Sequence, residues 1–348
     1  MMRRWVLISG LNWIGDSIMA MPALQAYRRQ AEDASVLMLV KPGLIPLWQM
    51  HPGVDEIVAL HGGLAGARRA AREVRSFSCQ CAYIWPHSFR SAWVPFLAGV
   101  PERIGMPGHG RRWLLSRAKS PRGGEGREHQ AYEYLDLMVD GSNAETIAAP
   151  QLRVGAEAAK EAADWLGDGA TRWAGLMPGA ARGPSKRWPA GHFVELGRRL
   201  DAQDGFRILV MGSEADRGLC EEIAGRIGPA AQSTAGKTPL PVWAGLLAGC
   251  AVCVANDSGG MHLAAALGTP VAALYGMTDP ERTGPLGPAR ILRGSGEGRR
   301  DIPRHSDAAR ISLASIRPDW VYEAVSELLL HPPAPARQPT AGRTGPAH

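Results

Sequence analysis

Short apolar runs alternate with amphipathic stretches along most of this chain. Trp5–Ser9, Val36–Val40, Glu56–Leu60 and Cys81–Trp85 read as strands. Ser17–Gln30, Ala65–Arg75 and Ser88–Leu97 fall between or after them with helical spacing. Continuous apolar strands interleaved with helices predict a parallel sheet covered on both faces. Residues 107–130 interrupt the rhythm with glycine and arginine and read as an exposed basic loop. Ala131–Val139 reads as a helix and Gly141–Pro150 as a linker.

A second alternation starts at strand Trp173–Met177. It continues through helix Gly191–Asp201, strand Arg207–Met211, and helices Glu214–Ile227 and Pro241–Ala248. Strand Val252–Asn256, helix Met261–Leu267 and strand Pro270–Leu274 follow. Arg293–Arg310 reads as a polar loop and Pro318–Leu330 as a terminal helix. The proline-rich stretch His331–His348 has no periodicity and is expected to be disordered. The pattern predicts an α/β protein of two Rossmann-like domains facing across a cleft. Their expected spans are residues 1–150 and 151–330, followed by the 331–348 tail.

Length and composition agree with two cores. The chain has 348 residues, of which 45% are hydrophobic and 21% charged, too long for one ordinary doubly wound domain and too apolar for disorder. The net charge of +6 suits an anionic partner. No zinc-finger or RNP-type pattern points to nucleic acid. The run before Gly10 is shorter than the ~7–15 apolar residues of a signal-peptide core, and no stretch of ~18 apolar residues spans a membrane. The five cysteines include Cys250 and Cys253, spaced like a redox or metal pair. They sit on an expected buried strand with no second pair at zinc spacing, so they read as reduced structural thiols of a cytoplasmic protein.

Three loops at strand-to-helix turns hold the candidate chemistry. The first, Gly10–Ser17, lacks the middle glycine of a dinucleotide fingerprint. It also carries Asp16 where a P-loop has its lysine. A carboxylate there suits abstraction of a proton from a hydroxyl, or simply caps the helix. The second, Pro178–Pro189, combines small residues, Pro178 and Gly179 first among them, with the adjacent cations Lys186 and Arg187. That suits a pyrophosphate, or is an ordinary basic turn. The third, Asn256–His262, offers the backbone N–H groups of Ser258, Gly259, Gly260 and Met261 to a phosphate at a helix start. Asp257 is placed there to bind sugar hydroxyls, while His262 is either a ligand contact or a structural histidine.

Together these stretches resemble glycosyltransferase family 9, the ADP-heptose:lipopolysaccharide heptosyltransferases. The carriers are Gly15-Asp16 with Pro22-Ala23-Leu24, Pro178-Gly179-Ala180 with Lys186-Arg187-Trp188-Pro189, and Asn256-Asp257-Ser258-Gly259 with Met261-His262 and Ala264–Leu267. Trp85–Ala92, Tyr275-Gly276 and Pro285-Leu286 extend the likeness, which covers roughly Val6 to Leu330. Gly260 stands where the family has leucine, His87 where it has asparagine, Arg90 where it has lysine, and Met277 where a small residue or proline is common.

The resemblance implies a GT-B fold with the last helix leaning back on the first domain. It also implies inverting transfer of heptose from ADP-heptose to the lipopolysaccharide inner core. Asp16 would be the base. Lys186, Arg187 and the 258–262 helix start would neutralise the leaving ADP, and Asp257 would hold the sugar. Gly15, Ser88, Arg90, Arg111 and Arg112 would meet the acceptor at the inner face of the inner membrane, unless the 108–127 loop is only a solvated charged face. No D-x-D motif occurs, so no metal or other cofactor is expected. A protein or another glycolipid as acceptor, a related donor, and a sugar-nucleotide-binding protein without catalysis stay open.

Overall fold

The protein is described from a computed structural model, which covers residues 4–108, 110–123, 128–140, 147–167, 169–296 and 302–331. Gly124 and Arg127 of the basic stretch lie outside these residues. So do 141–146 of the expected linker, 297–301 of the late loop and the tail from 332 onward.

Strands β1 (Arg4–Ser9), β2 (Ala34–Val40), β3 (Glu56–Ala59), β4 (Cys81–Ile84), β5 (Glu102–Gly105) and β6 (Arg117–Ala118) form the first sheet, in the order β3-β2-β1-β4-β5-β6. Every pairing is parallel; Val6, for example, is in register with Val36 on one side and Cys81 on the other. Helices α1 (Ile14–Gln30), α2 (Ile45–Gln49), α3 (Gly63–Ser76), α4 (Phe89–Leu97) and α5 (Ala131–Met138) complete this half. All seven residues of β2 are buried, as a strand covered on both faces requires.

The second half opens with α6 (Ala156–Leu166), followed by β7 (Trp173–Met177), α7 (Ala190–Asp204), β8 (Arg207–Val210), α8 (Arg217–Ile227) and β9 (Ala231–Ser233). Then come α9 (Leu240–Gly249), β10 (Val252–Asn256), α10 (Gly259–Ala266), β11 (Val271–Tyr275), α11 (Pro280–Thr283), β12 (Ala289–Arg293), α12 (Asp307–Ala314) and α13 (Pro318–Leu330). The sheet order β12-β11-β10-β7-β8-β9 is again parallel throughout and repeats the first topology. In each sheet the order reverses between the first and fourth strands. The loops after β1, β4, β7 and β10 therefore open at the two switch points, where ligands bind in doubly wound sheets. All three candidate loops are among them.

Several elements depart from the sequence reading. Strands β5, β6 and β9 are short and mostly polar, and β12 is half-exposed between arginines, so periodicity did not reveal them. Helix α6 was also missed: only Ala162 of it is buried, against α9. Helix α12 occupies part of the expected Arg293–Arg310 loop. The last helix does not lean on the first half. Val321, Val325 and Leu328 of α13 belong to the core beneath β7, β8, β10 and β11. The segment before α6 stays with the first half: Gln25 Nε2 donates to the Ala149 carbonyl at 3.0 Å, and Arg153 N to that of Met50 at 2.9 Å.

The cysteines are all free and buried. Cys250 and Cys253 press on Gly175, where a Cβ would lie 2.8 Å from the Cys253 sulfur. They pack the sheet, as the sequence reading expects.

Candidate active site

The turn after β1 places Asp16. Helix α1 begins at Ile14 with Trp13 as its N-cap, so Asp16 lies in the first turn and caps nothing. Its charge still suits the positive helix end. The glycines of this loop serve packing rather than phosphate. A Cβ on Gly10 would meet Val40 at 2.5 Å, and one on Gly15 would meet the His262 ring at 2.8 Å.

Across the cleft, Asn256 at the end of β10 ties the second-domain loops together. Its buried side chain accepts from Trp188 N at 3.0 Å and donates to the Pro178 carbonyl at 2.8 Å. Trp188 is buried and donates its indole N–H to Ile316 O at 2.8 Å. With its neighbour pinned, Lys186 turns into the cleft, where Nζ meets Asp257 Oδ2 at 2.5 Å; both side chains are only 10% exposed. Arg187 pairs instead with Asp216 Oδ1 at 3.0 Å.

A cavity of about 700 Å3 opens between the halves. Asp16 and Gly15 line it from one side. From the other come Gly179, Lys186, Asp257, Ser258, Gly259, Gly260 and His262. Ser258 N-caps α10 without a side-chain bond, so the first-turn N–H groups keep no capping partner. The side chains of Pro178, Arg187 and Met261 do not line the cavity. Pro178 is the acceptor for Asn256, Arg187 holds Asp216, and Met261 is in the core.

Asp16 is half-buried. Desolvation pushes its carboxyl above the usual carboxylate range. Arg182 and Lys186 pull against that shift, while Asp257 adds to it. Such a carboxylate is a better base than an exposed one. His262 is almost wholly buried, and burial lowers its pKa to about 4. It is neutral at pH 7 and brings no charge to a phosphate. A leucine at Gly260, as in the family pattern, would have to displace Met177 Sδ, 2.6 Å from its Cβ, and press on the Trp243 ring at 3.1 Å.

Other lining residues escaped the sequence reading. Arg182 lay within a loop already singled out but carried no assignment. Trp13 likewise lay unassigned in the first loop, Trp243 projects from α9, and Glu214, Asp216 and Asp279 come from segments with no motif. Gln130 and Arg282 line the rim, where the halves clasp: Gln130 N donates to Arg282 O at 2.9 Å, and Arg282 pairs with Glu133 at 3.6 Å.

Of the expected acceptor residues, Gly15 lines the cavity, while Ser88, Arg90, Arg111 and Arg112 stand outside it. Ser88 caps α4 by accepting from Ser91 N at 3.3 Å. Exposed Arg90 donates to His61 O at 2.8 Å, and Arg112 is exposed. Arg111 is a correction. It is fully buried, donating from Nε and Nη2 to the Met106 carbonyl and from Nη1 to Ser91 Oγ and the Pro86 and Ser88 carbonyls. It braces the loop after β4 and cannot reach an acceptor. The basic stretch is also not simply exposed, since Lys119 pairs with Asp140 and Arg122 with Asp136.

Among the described residues no group of three or more His, Cys, Asp or Glu side chains is arranged to hold a metal ion, and no helix is long and apolar enough to cross a membrane.

Comparison with known proteins agrees with this fold. The chain is 32% identical to lipopolysaccharide heptosyltransferase 2 of Escherichia coli strain K12, covering 93% of this chain and 98% of that protein. The solved E. coli ADP-heptose lps heptosyltransferase II superposes with a TM-score of 0.81 at 30% identity, covering 94% and 99% of the two chains. A glycosyltransferase family 9 structure from Veillonella parvula shares the fold, with a TM-score of 0.82 at 21% identity, covering 95% and 98% of the two chains. The family model for glycosyltransferase family 9 (heptosyltransferase) matches residues 67–305. By its paired sheets, its switch-point cleft and these matches, the chain belongs to glycosyltransferase family 9, the heptosyltransferases.

Proposed function

We propose that this enzyme transfers heptose from ADP-heptose to the inner core of lipopolysaccharide, with inversion at the transferred carbon. The observation that carries the reading is the meeting of Asp16 with Lys186, Arg182 and the start of α10 in one cavity between the halves. The E. coli relative named for ADP-heptose and lipopolysaccharide supports the choice of donor and acceptor.

Asp16 takes the proton from the acceptor hydroxyl as that oxygen attacks the anomeric carbon. The bond to the diphosphate breaks on the opposite face, and ADP leaves with the electron pair. Lys186, Arg182 and the α10 N–H groups neutralise the charge that builds on ADP. Asp257 holds the Lys186 ammonium in the free enzyme and lies where it can accept from the sugar hydroxyls. These cations take the part a metal plays elsewhere, so transfer needs no metal. Arg90, Ser88 and Arg112 receive the anionic acceptor beside the cavity, at the cytoplasmic surface of the inner membrane.

The test is mass analysis of product formed from ADP-heptose and core oligosaccharide carrying one heptose. One added heptose is expected. No transfer to that acceptor, with transfer to a protein or another glycolipid, would overturn the acceptor. ADP binding without transfer to any acceptor would overturn catalysis.

A further inference from the structure

Large aromatic side chains seldom stay exposed in a cluster on a soluble surface. Here three do. Trp113 is 64% exposed, Phe96 41% and Phe89 38%. They are in mutual contact: the Trp113 ring lies 5.7 Å from that of Phe89 and 5.8 Å from that of Phe96. Phe89, Trp93 and Phe96 follow at helical spacing along one face of α4, with Phe89 and Trp93 rings 6.2 Å apart.

The cluster is held rigidly. Arg103 donates to the Leu114 carbonyl at 2.7 Å and the Val100 carbonyl at 2.6 Å, and its guanidinium lies 5.5 Å from the Phe96 ring centre. Buried Arg111 ties the turn before Trp113 to the loop before Phe89. Two arginines thus keep the aromatic face formed although none of the described residues covers it.

Its surroundings are one-sided in charge. Arg90 and Arg112, the chain neighbours of Phe89 and Trp113, are exposed and the Arg103 guanidinium lies against Phe96, whereas Arg111 is buried and Arg117, Lys119 and Arg122 are paired with Asp140 and Asp136. The face also begins at the cleft edge. Phe89 follows Ser88 in the loop after β4, and Ser9 Oγ at the end of β1 donates to Ser91 O at 3.2 Å. The Asp16 loop leaves the same sheet edge.

We infer that the Phe89–Phe96–Trp113 face docks on an anionic phospholipid bilayer. Indole and phenyl rings enter the interface between headgroup and acyl chain, and the arginines around them meet lipid phosphates. A second copy is the poorer occupant, since two such faces would bring like charge against like charge. The inference rests on the proposed lipid-anchored acceptor and adds the surface that presents the cleft to it.

The full chain is sedimented with vesicles of phosphatidylethanolamine and phosphatidylglycerol, and with phosphatidylcholine alone. Binding to the anionic vesicles only is expected. Phe89→Ser/Trp113→Ser should weaken it by about tenfold or more. Transfer to lipid-free core oligosaccharide and the melting temperature should stay unchanged, because these side chains lie outside the cavity and the core. Trp113→Ser alone serves as the milder variant should the double change lower the melting temperature. Absent binding, equal binding to both vesicles, or undiminished binding by the variants would overturn the inference. So would concentration-dependent dimerisation that the variants abolish, for then a second copy covers the face. Vesicle binding without heptose transfer would leave the surface standing and overturn the proposed function instead.

Discussion

Gly15 and His262 meet where the two halves touch. The Gly15 Cα faces the imidazole so closely that a methyl group there would lie 2.8 Å from Cδ2. The contact is answered one turn away, where a Cβ on Gly259 would lie 2.9 Å from Cβ of Ile14. The first turns of α1 and α10 therefore approach to backbone distance, and Asp16 follows directly on this contact.

Gly15→Ala should wedge the two helix starts apart. Since His262 is locked in the core of its own half, the displacement falls on the cleft. A misplacement of ~1 Å can cost about 10²-fold in rate. Steady-state kinetics should show kcat/KM falling by that order while ADP still binds. Near wild-type kinetics would mean that the contact opens during turnover.

Asp16→Asn keeps the shape but cannot take a proton, so kcat should fall about 10²–10⁴-fold with ADP affinity unchanged. The stability sign also follows. Burial raises the folded pKa, so ionising Asp16 costs stability as pH rises through that value. The melting temperature at pH 7 should hold or rise in the variant. The ascending limb of the wild-type pH–rate profile should lie above the usual carboxylate range and vanish in the Asp16→Asn variant. Retained turnover would place the base elsewhere.

Lys186 and Asp257 form a nearly buried pair, and removing one partner leaves the other uncompensated. Lys186→Met should cost about 3–5 kcal/mol and weaken ADP binding about tenfold or more. Adding Asp257→Asn should recover much of the stability but none of the affinity. Calorimetry and thermal melts separate the two. Recovery of ADP affinity in the double variant would mean that Lys186 acts only by neutralising Asp257.

Transfer should survive chelation. With Lys186, Arg182 and the α10 start meeting the diphosphate, EDTA should leave the rate unchanged and magnesium or manganese should not raise it. Abolition by EDTA and rescue by either ion would contradict this.

His262 and His51 are both buried, and burial holds each near a pKa of about 4. An unfolded histidine takes a proton near a pH of about 6.5. A depressed folded pKa gives stability that is present above about 6.5 and lost as pH falls towards 4, on the order of 3 kcal/mol for each group. Urea unfolding should therefore show steep loss between about pH 7 and 4.5. A flat profile there would show that both histidines take up a proton in the fold as readily as in the unfolded chain.

Local pattern determined a good deal. Strand and helix periods are written in side-chain polarity, so both parallel sheets and the strand-to-helix turns bearing Asp16, Lys186 and Asp257 were legible. The family pattern was legible for the same reason, since its motifs are contiguous. Direction was not. Lys186 and Arg187 are alike as adjacent cations, and only the fold, with Trp188 pinned by Asn256 and Ile316, pairs one with Asp257 and the other with Asp216. Arg111 and Arg112 are equally alike. Whether an arginine is solvated or is buried among carbonyls depends on Pro86, Ser88 and Met106 folding around it. The wall of the cavity formed by Trp243, Glu214 and Gln130 comes from segments far apart in sequence, brought together by sheet topology rather than by any local signal. Side-chain identity sets which chemistry is available. Long-range packing decides which atoms share a cavity, because contacts between distant residues exist only once the two sheets face each other.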